Sequence, residues 1–120
     1  MANQIVWCDI PVINLDRAIR FYTVVLGQAV SKESFPGMTF GLLPHQKSEV
    51  GGCLTTGEDM KPSACGPLIY LNCNGRLDAA IAAVESNGGE ILKPKHPIGP
   101  YGFRAIILDS EGNRVALHSM

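Results

Sequence analysis

The sequence has almost no imbalance of charge. Lys and Arg number 10 against 11 Asp and Glu, for a formal net charge of -1. That removes the electrostatic case for nucleic acid or an anionic membrane as a partner. No apolar run approaches the roughly 20 residues that span a bilayer. The start, Met1-Ala2-Asn3-Gln4, has neither the basic cluster nor the long apolar stretch of a secretion signal, so a cytoplasmic protein is expected. Cysteine is sparse. Cys8, Cys53, Cys65 and Cys73 show no paired metal-ligand spacing and fall in apolar or loop segments, which suits reduced thiols. The 120 residues suit one domain with its own core, 1–120.

What is present is a pattern of short apolar runs broken by turn residues. Ile5 to Val12 suits a strand, with Asp9 as the exception. Asn14 is placed to cap a helix whose apolar face carries Ala18, Ile19, Tyr22, Val25 and Leu26 and which ends at Gly27. Three strand candidates follow: Ala29 to Glu33, Met38 to Leu43 and Val50 to Thr55. The polar stretch from Glu58 to Gly66 predicts a linker. Then the pattern begins again. Leu68 to Cys73 predicts a strand. A helix with Leu77, Ala80, Ile81 and Val84 on one face stops at Gly88-Gly89. Glu90 to Lys93 predicts a short strand, and a hairpin runs from Phe103 to His118 around a turn at Asp109–Asn113.

The halves repeat. Leu15, Asp16, Ala18, Ile19 and Gly27 recur 62 positions later as Leu77, Asp78, Ala80, Ile81 and Gly89. The expected fold is α+β: two βαβββ modules, one over about residues 4–57 and the other over about 67–120, whose strands form a cupped mixed sheet. Helices on one side leave the other side free to wrap a ligand.

Three segments carry a family resemblance: Asn14-Leu15-Asp16-Arg17-Ala18; Phe21-Tyr22 followed by Leu26-Gly27; and Asp109-x-Glu111-Gly112-Asn113. With the repeat, they make the chain resemble the vicinal oxygen chelate superfamily, the group of glyoxalases, bleomycin-resistance proteins and extradiol dioxygenases. The resemblance implies a glyoxalase-like fold, and a homodimer with its cups at or near the subunit interface. It also implies that metal-using relatives carry ligands at the positions of Trp7, Cys53, Leu68 and Ala116. Three of those four residues cannot hold a divalent cation, and one thiolate is not a site. No metal and no other cofactor is therefore expected.

Side chains alternate across a strand, so residues two apart from those positions share the concave face. This places Trp7, Asp9, Cys53, Tyr70, Asn72, Arg114 and His118 on it, with Arg104 on a face that alternation alone does not choose. All eight are candidate ligand-binding residues. Asp9, in a strand expected to be buried, is costly unless paired. It either joins His118 or Arg104 as a general base or ligand anchor, or forms a structural ion pair or faces solvent. His118 is either a proton carrier or a surface residue. Trp7 and Tyr70 either stack on a planar ligand or belong to the core. His45 and His96 are expected to be solvated. The loop Pro97–Gly102 is either a lid or a rigid connector. Cys8 and Cys73 are expected at matching positions of the two modules, as core thiols.

Three functions compete. The first is a small-molecule binding protein acting without a catalytic metal. The second is an enzyme, either a lyase or isomerase using Asp9 and His118 for proton transfer, or a metal-dependent glyoxalase-type enzyme. The third is a dimer module with no ligand.

Overall fold

The computed structural model describes residues 3–120. Module one consists of β1 (Trp7–Pro11), α1 (Leu15–Leu26), β2 (Ser31–Phe35), β3 (Met38–Leu42) and β4 (Gly51–Thr55). Module two consists of β5 (Ile69–Asn72), α2 (Leu77–Ser86), β6 (Glu90–Pro97), β7 (Phe103–Leu108) and β8 (Arg114–Ser119). The strands form two four-stranded mixed sheets, ordered β1-β4-β3-β2 and β5-β8-β7-β6. Each sheet has one parallel pair, β1 with β4 and β5 with β8, and the rest are antiparallel. Among the described residues no helix is long and apolar enough to cross a membrane.

Local chemistry explains the element ends. The Asn14 side chain accepts the Arg17 amide, which caps α1. Gly27 closes α1 in the left-handed conformation, φ 73°, its amide bonded to the Thr23 carbonyl. The chain then turns back, with the Val30 amide on the Thr23 hydroxyl. That return delays the next strand to Ser31, two residues later than the apolar pattern suggests. β6 outlasts its expected end at Lys93 and passes through Pro94 with register shifts. It is an edge strand, where proline's missing N–H costs no ladder bond.

One core serves both modules. It joins Ile10, Phe21, Tyr22 and Leu54 of module one to Val84, Ile107, Val115 and Leu117 of module two. Burying side chains of this size contributes roughly 1.5–3 kcal/mol each. Phe21, not Ile19, is fully buried on α1; Ile19 is half-buried and meets β3 at Gly41.

Equivalent hydrogen bonds fix the internal two-fold. The Val12 amide donates to the Thr55 carbonyl at 2.9 Å, and the Cys73 amide donates to the His118 carbonyl at 2.8 Å. Val12 therefore corresponds to Cys73, Asp9 to Tyr70, Trp7 to Leu68 and Cys53 to Ala116, in agreement with the strand registers. The expected match of Cys8 with Cys73 does not hold: Cys8 corresponds to Ile69 and Cys73 to Val12, because Cys8 lies within β1 whereas Cys73 follows the end of β5. Both still face the helices.

The modules are clamped at one end. The β7–β8 turn reaches across to the β1–α1 connection. Glu111 Oε1 accepts the amides of Ile13 and Asn14, at 2.9 and 2.8 Å. Arg17 grips both carboxylate oxygens, at 2.7 and 2.9 Å. Asn113 Nδ2 donates to the Pro11 carbonyl at 2.7 Å, and Tyr22 donates to the buried Asp109 carboxylate at 2.5 Å. Among the described residues, the corresponding β3–β4 turn of module one bonds only locally, through Gln46, Glu49, His45 and Leu43. A cleft lies where a second clamp would.

Candidate functional site

That cleft has a volume of about 530 Å³. Cys8 and Ile10, from the helix-facing side of β1, border it together with His45, Gly51, Tyr70 and Asn72. Of the eight candidate residues, only Tyr70 and Asn72 line it. The other six stand on two strand walls beside it.

The first wall belongs to module one. Trp7 Nε1 donates to Asp9 Oδ1 at 2.9 Å, and the Cys53 thiol donates to the same oxygen at 3.3 Å. The Trp7 ring meets His45 edge-on, with centroids 5.9 Å apart. Gly51 permits this arrangement, because a Cβ there would sit 2.7 Å from the indole. Asp9 is exposed, not buried. The face of β1 that carries Trp7 and Asp9 is open to water. The carboxylate therefore needs no countercharge, and among the described residues it is in no salt bridge. The structure does not join Asp9 to His118 or Arg104; its hydrogen-bond partners are Trp7 and Cys53.

The second wall belongs to module two. Arg104 and His118 are cross-strand partners and so share a face. This resolves the face of Arg104. Its Nε donates to His96 Nε2 at 2.9 Å, and its Nη1 donates to the Tyr70 hydroxyl. His96 Nδ1 contacts the Pro94 carbonyl at 2.8 Å, which requires the Nδ1–H tautomer and leaves Nε2 as an acceptor. His118 Nε2 contacts the Tyr101 carbonyl at 2.6 Å, so that nitrogen carries the proton. His118 is half-buried, and its ring lies 6.0 Å from that of Tyr70. Arg114 Nη2 donates to the Gly66 carbonyl at 3.0 Å, fastening the linker. Asn72 Oδ1 accepts the Asn74 amide, so this side chain supports its own turn.

His45 is exposed, as expected, and its ring also flanks Trp7; His96, expected to be solvated, is half-buried and orients Arg104. No local signal identified either one. His96 acquires its role only because β6 continues past Pro94, and His45 because the β3–β4 turn folds over β1. The segment from Pro97 to Gly102 contains a 3₁₀ turn at Gly99–Tyr101, and the Ile98 amide is bonded to the Gly102 carbonyl. It presents the Tyr101 carbonyl to His118.

The four positions that the resemblance assigns to metal ligands do not suit a cation. Leu68 and Ala116 have no donor atom, and the Trp7 indole only donates hydrogen. Burial first, and then the hydrogen bond and charge of Asp9, push the Cys53 thiol up to about 11, well above the thiolate range at neutral pH. Among the described residues no three His, Cys, Asp or Glu side chains converge as a cation site. Burial likewise raises Cys8 and Cys73. Only Cys65 is an exposed thiol. Iodoacetamide at neutral pH is therefore expected to label Cys65 in the folded protein and the other three only on unfolding, read by peptide mass. Labelling of Cys53 as fast as Cys65 would show an activated thiol instead.

Comparison with known proteins agrees with this architecture. A search of curated proteins by sequence finds no match. Among solved structures, a glyoxalase/bleomycin resistance protein from Albidiferax ferrireducens T118 superposes with a TM-score of 0.76 at 18% identity, covering 98% of this chain and 99% of that one. The fosfomycin resistance protein FosX from Listeria monocytogenes gives 0.69 at 15% identity, over 100% of this chain and 95% of that one. Glyoxalase I from Zea mays gives 0.70 at 22% identity over 94% of this chain, which spans 44% of the maize protein. At these identities the likeness concerns the fold. The glyoxalase/bleomycin resistance protein/dioxygenase superfamily model matches residues 4–117, and the chain belongs to that superfamily.

Proposed function

We propose that this protein binds a small molecule on its strand walls without a resident catalytic metal. One observation carries the reading. Two large aromatic rings, Trp7 and Tyr70, are each 45% exposed yet fixed by hydrogen bonds, Trp7 to Asp9 and Tyr70 to Arg104. Rings that serve only the core are covered; exposed rings held in one orientation suit stacking on a planar ligand. The lack of cation donors at Trp7, Leu68 and Ala116 supports the same reading. The alternative in which Asp9 and His118 exchange a proton has no such support, since neither side chain contacts the other. A cytoplasmic location and a homodimer fit this reading. Ile5, Val6 and Ile13, each 70% exposed, offer apolar surface to a second copy.

Trp7 is the only tryptophan in the chain, so intrinsic fluorescence reports on the site directly. Titration with a panel of planar compounds, neutral and charged, with and without added Zn²⁺ or Ni²⁺, is expected to give saturable quenching that the metal does not change. Trp7→Leu should abolish the signal, and Tyr70→Ala should weaken binding by about 1–3 kcal/mol, the scale of a lost stacking partner. Binding that appears only with metal, or no binding across the panel, would overturn the reading.

A further inference from the structure

The two walls differ in charge, and the internal two-fold shows where the difference arises. Phe40 pairs with Thr55 as Arg104 pairs with His118, and Thr55 corresponds to His118. Arg104 therefore stands where module one has Phe40. By the same count, Arg114 stands where module one has Gly51. Module two has gained two guanidiniums on one wall. Among the described residues, neither is in a salt bridge. Both are partly buried. Among the described residues, Arg104 is held by neutral groups alone, His96 and the Tyr70 hydroxyl, with no acceptor on Nη2. Arg114 Nε is buried and has no hydrogen-bond partner at all. The tautomer of His96 matters here. With its Nδ1 proton on the Pro94 carbonyl, the imidazole orients the guanidinium without neutralising it.

A guanidinium stays charged at any pH a protein meets, and its fork of N–H donors matches a carboxylate or phosphoryl group. A partly buried charge held in place by neutral groups is set up for a countercharge that the chain does not supply. Tyr70 extends the same spot with an exposed ring. We infer that the ligand is an aromatic or otherwise planar molecule carrying a carboxylate or phosphoryl group, whose anionic end is held by Arg104 beside Tyr70. This inference rests on the small-molecule reading above and narrows its chemical class.

Three probes of one size separate the possibilities: benzoate, phenylphosphonate and the neutral benzamide. Each is titrated into ¹⁵N-labelled protein. Saturable shifts are expected at the amides of Tyr70, Arg104 and His118 with one or both anions, and whichever binds tighter names the anionic group. Benzamide should bind roughly tenfold or more weakly, the scale of a lost charged hydrogen bond. Arg104→Gln should weaken the anions by the same factor and leave benzamide unchanged. Arg20→Gln, on the exposed side of α1, should leave all three unchanged and controls for net charge. Arg104→Lys, which keeps charge but loses the fork, should fall between. Preserved spectral dispersion in each variant shows that it folds. Benzamide binding these amides as tightly as the anions, or Arg104→Gln leaving anion binding unchanged, would overturn the inference while leaving the small-molecule reading intact. No shift at these amides with either anion would also overturn it. The fluorescence panel, which includes neutral compounds, then judges the broader reading separately.

Discussion

Glu111→Ala is expected to destabilise the protein by about 2–4 kcal/mol at neutral pH, and to flatten its stability in acid. Glu111 is the hub of the clamp between the β7–β8 turn and module one. Its side chain is fully buried, while that of Arg17 is 45% exposed. Removing one member of a buried pair costs roughly 3–5 kcal/mol when the survivor is trapped. Arg17 is not trapped and can return to water, so the lower range applies. Burial alone would raise the Glu111 carboxyl. The Arg17 guanidinium, the Asn14 amide, the Ser110 hydroxyl and the Ile13 amide outweigh it and hold the group at about 2, against an ordinary 4.5. A carboxyl depressed in the folded state adds stability above its unfolded value, and loses it as pH falls through its folded one. The difference corresponds to roughly 3 kcal/mol, reduced somewhat by the exposure of Arg17. Urea denaturation should show the wild type losing this amount between about pH 5 and pH 2 relative to Glu111→Ala. A cost under about 1 kcal/mol at pH 7, with parallel pH curves, would show that the clamp is incidental.

This clamp also marks the limit of what the sequence conveys. The β7–β8 turn is legible from Asp109, Ser110, Gly112 and Asn113, because turn chemistry is local. Asp109, Glu111 and Asn113 nevertheless end up buried, at 2%, 7% and 6% exposure, and a turn of such residues ordinarily lies in water. Bonds within the turn join Asp109 to Glu111 and Asn113, but the partners in module one (Pro11, Ile13, Asn14, Arg17 and Tyr22) stand roughly ninety to a hundred positions earlier, and nothing in the local pattern announces them. The Asn14 cap, the Gly27 stop and the helix repeat are legible for the same reason that the turn is: each acts within one or two helical turns. Asp9 shows the converse. Alternation puts it on one face with Trp7 and Cys53, and it meets both there. Its exposure and its bond to Cys53 depend instead on which strand pairs with β1 and on what covers that face, neither of which is local. Arg104 illustrates a third case, because its face follows from its pairing with His118 in the β7–β8 ladder.

Gly102→Ala is expected to cost about 2–5 kcal/mol and to disturb the second wall. Gly102 adopts φ 93° and ψ -137°, a region that residues with a Cβ avoid. A Cβ there would also lie 2.3 Å from the Ser119 carbonyl oxygen and 2.9 Å from Met120 Cα. Both are backbone atoms, and Ser119 is held in the β7–β8 ladder opposite Phe103, so neither can move aside cheaply. Backbone strain contributes roughly 1–3 kcal/mol and the steric overlap a similar amount. Gly112 isolates the two contributions. It has φ 96° but open space where a Cβ would project, so Gly112→Ala should carry strain alone, about 1–2 kcal/mol. The consequence for the site follows from connectivity. Gly102 leads into β7 directly from Tyr101, whose carbonyl accepts the His118 proton. Relieving the clash moves that carbonyl, frees His118 Nε2 and loosens the face that His118 shares with Arg104. Denaturant titration of both variants, with the His118 ring followed by NMR, tests the link. The expected result is a larger loss for Gly102→Ala than for Gly112→Ala, with the His118 signals displaced only in the former. Equal losses, or an unmoved His118, would mean that the Pro97–Gly102 connector does not set the geometry of this wall.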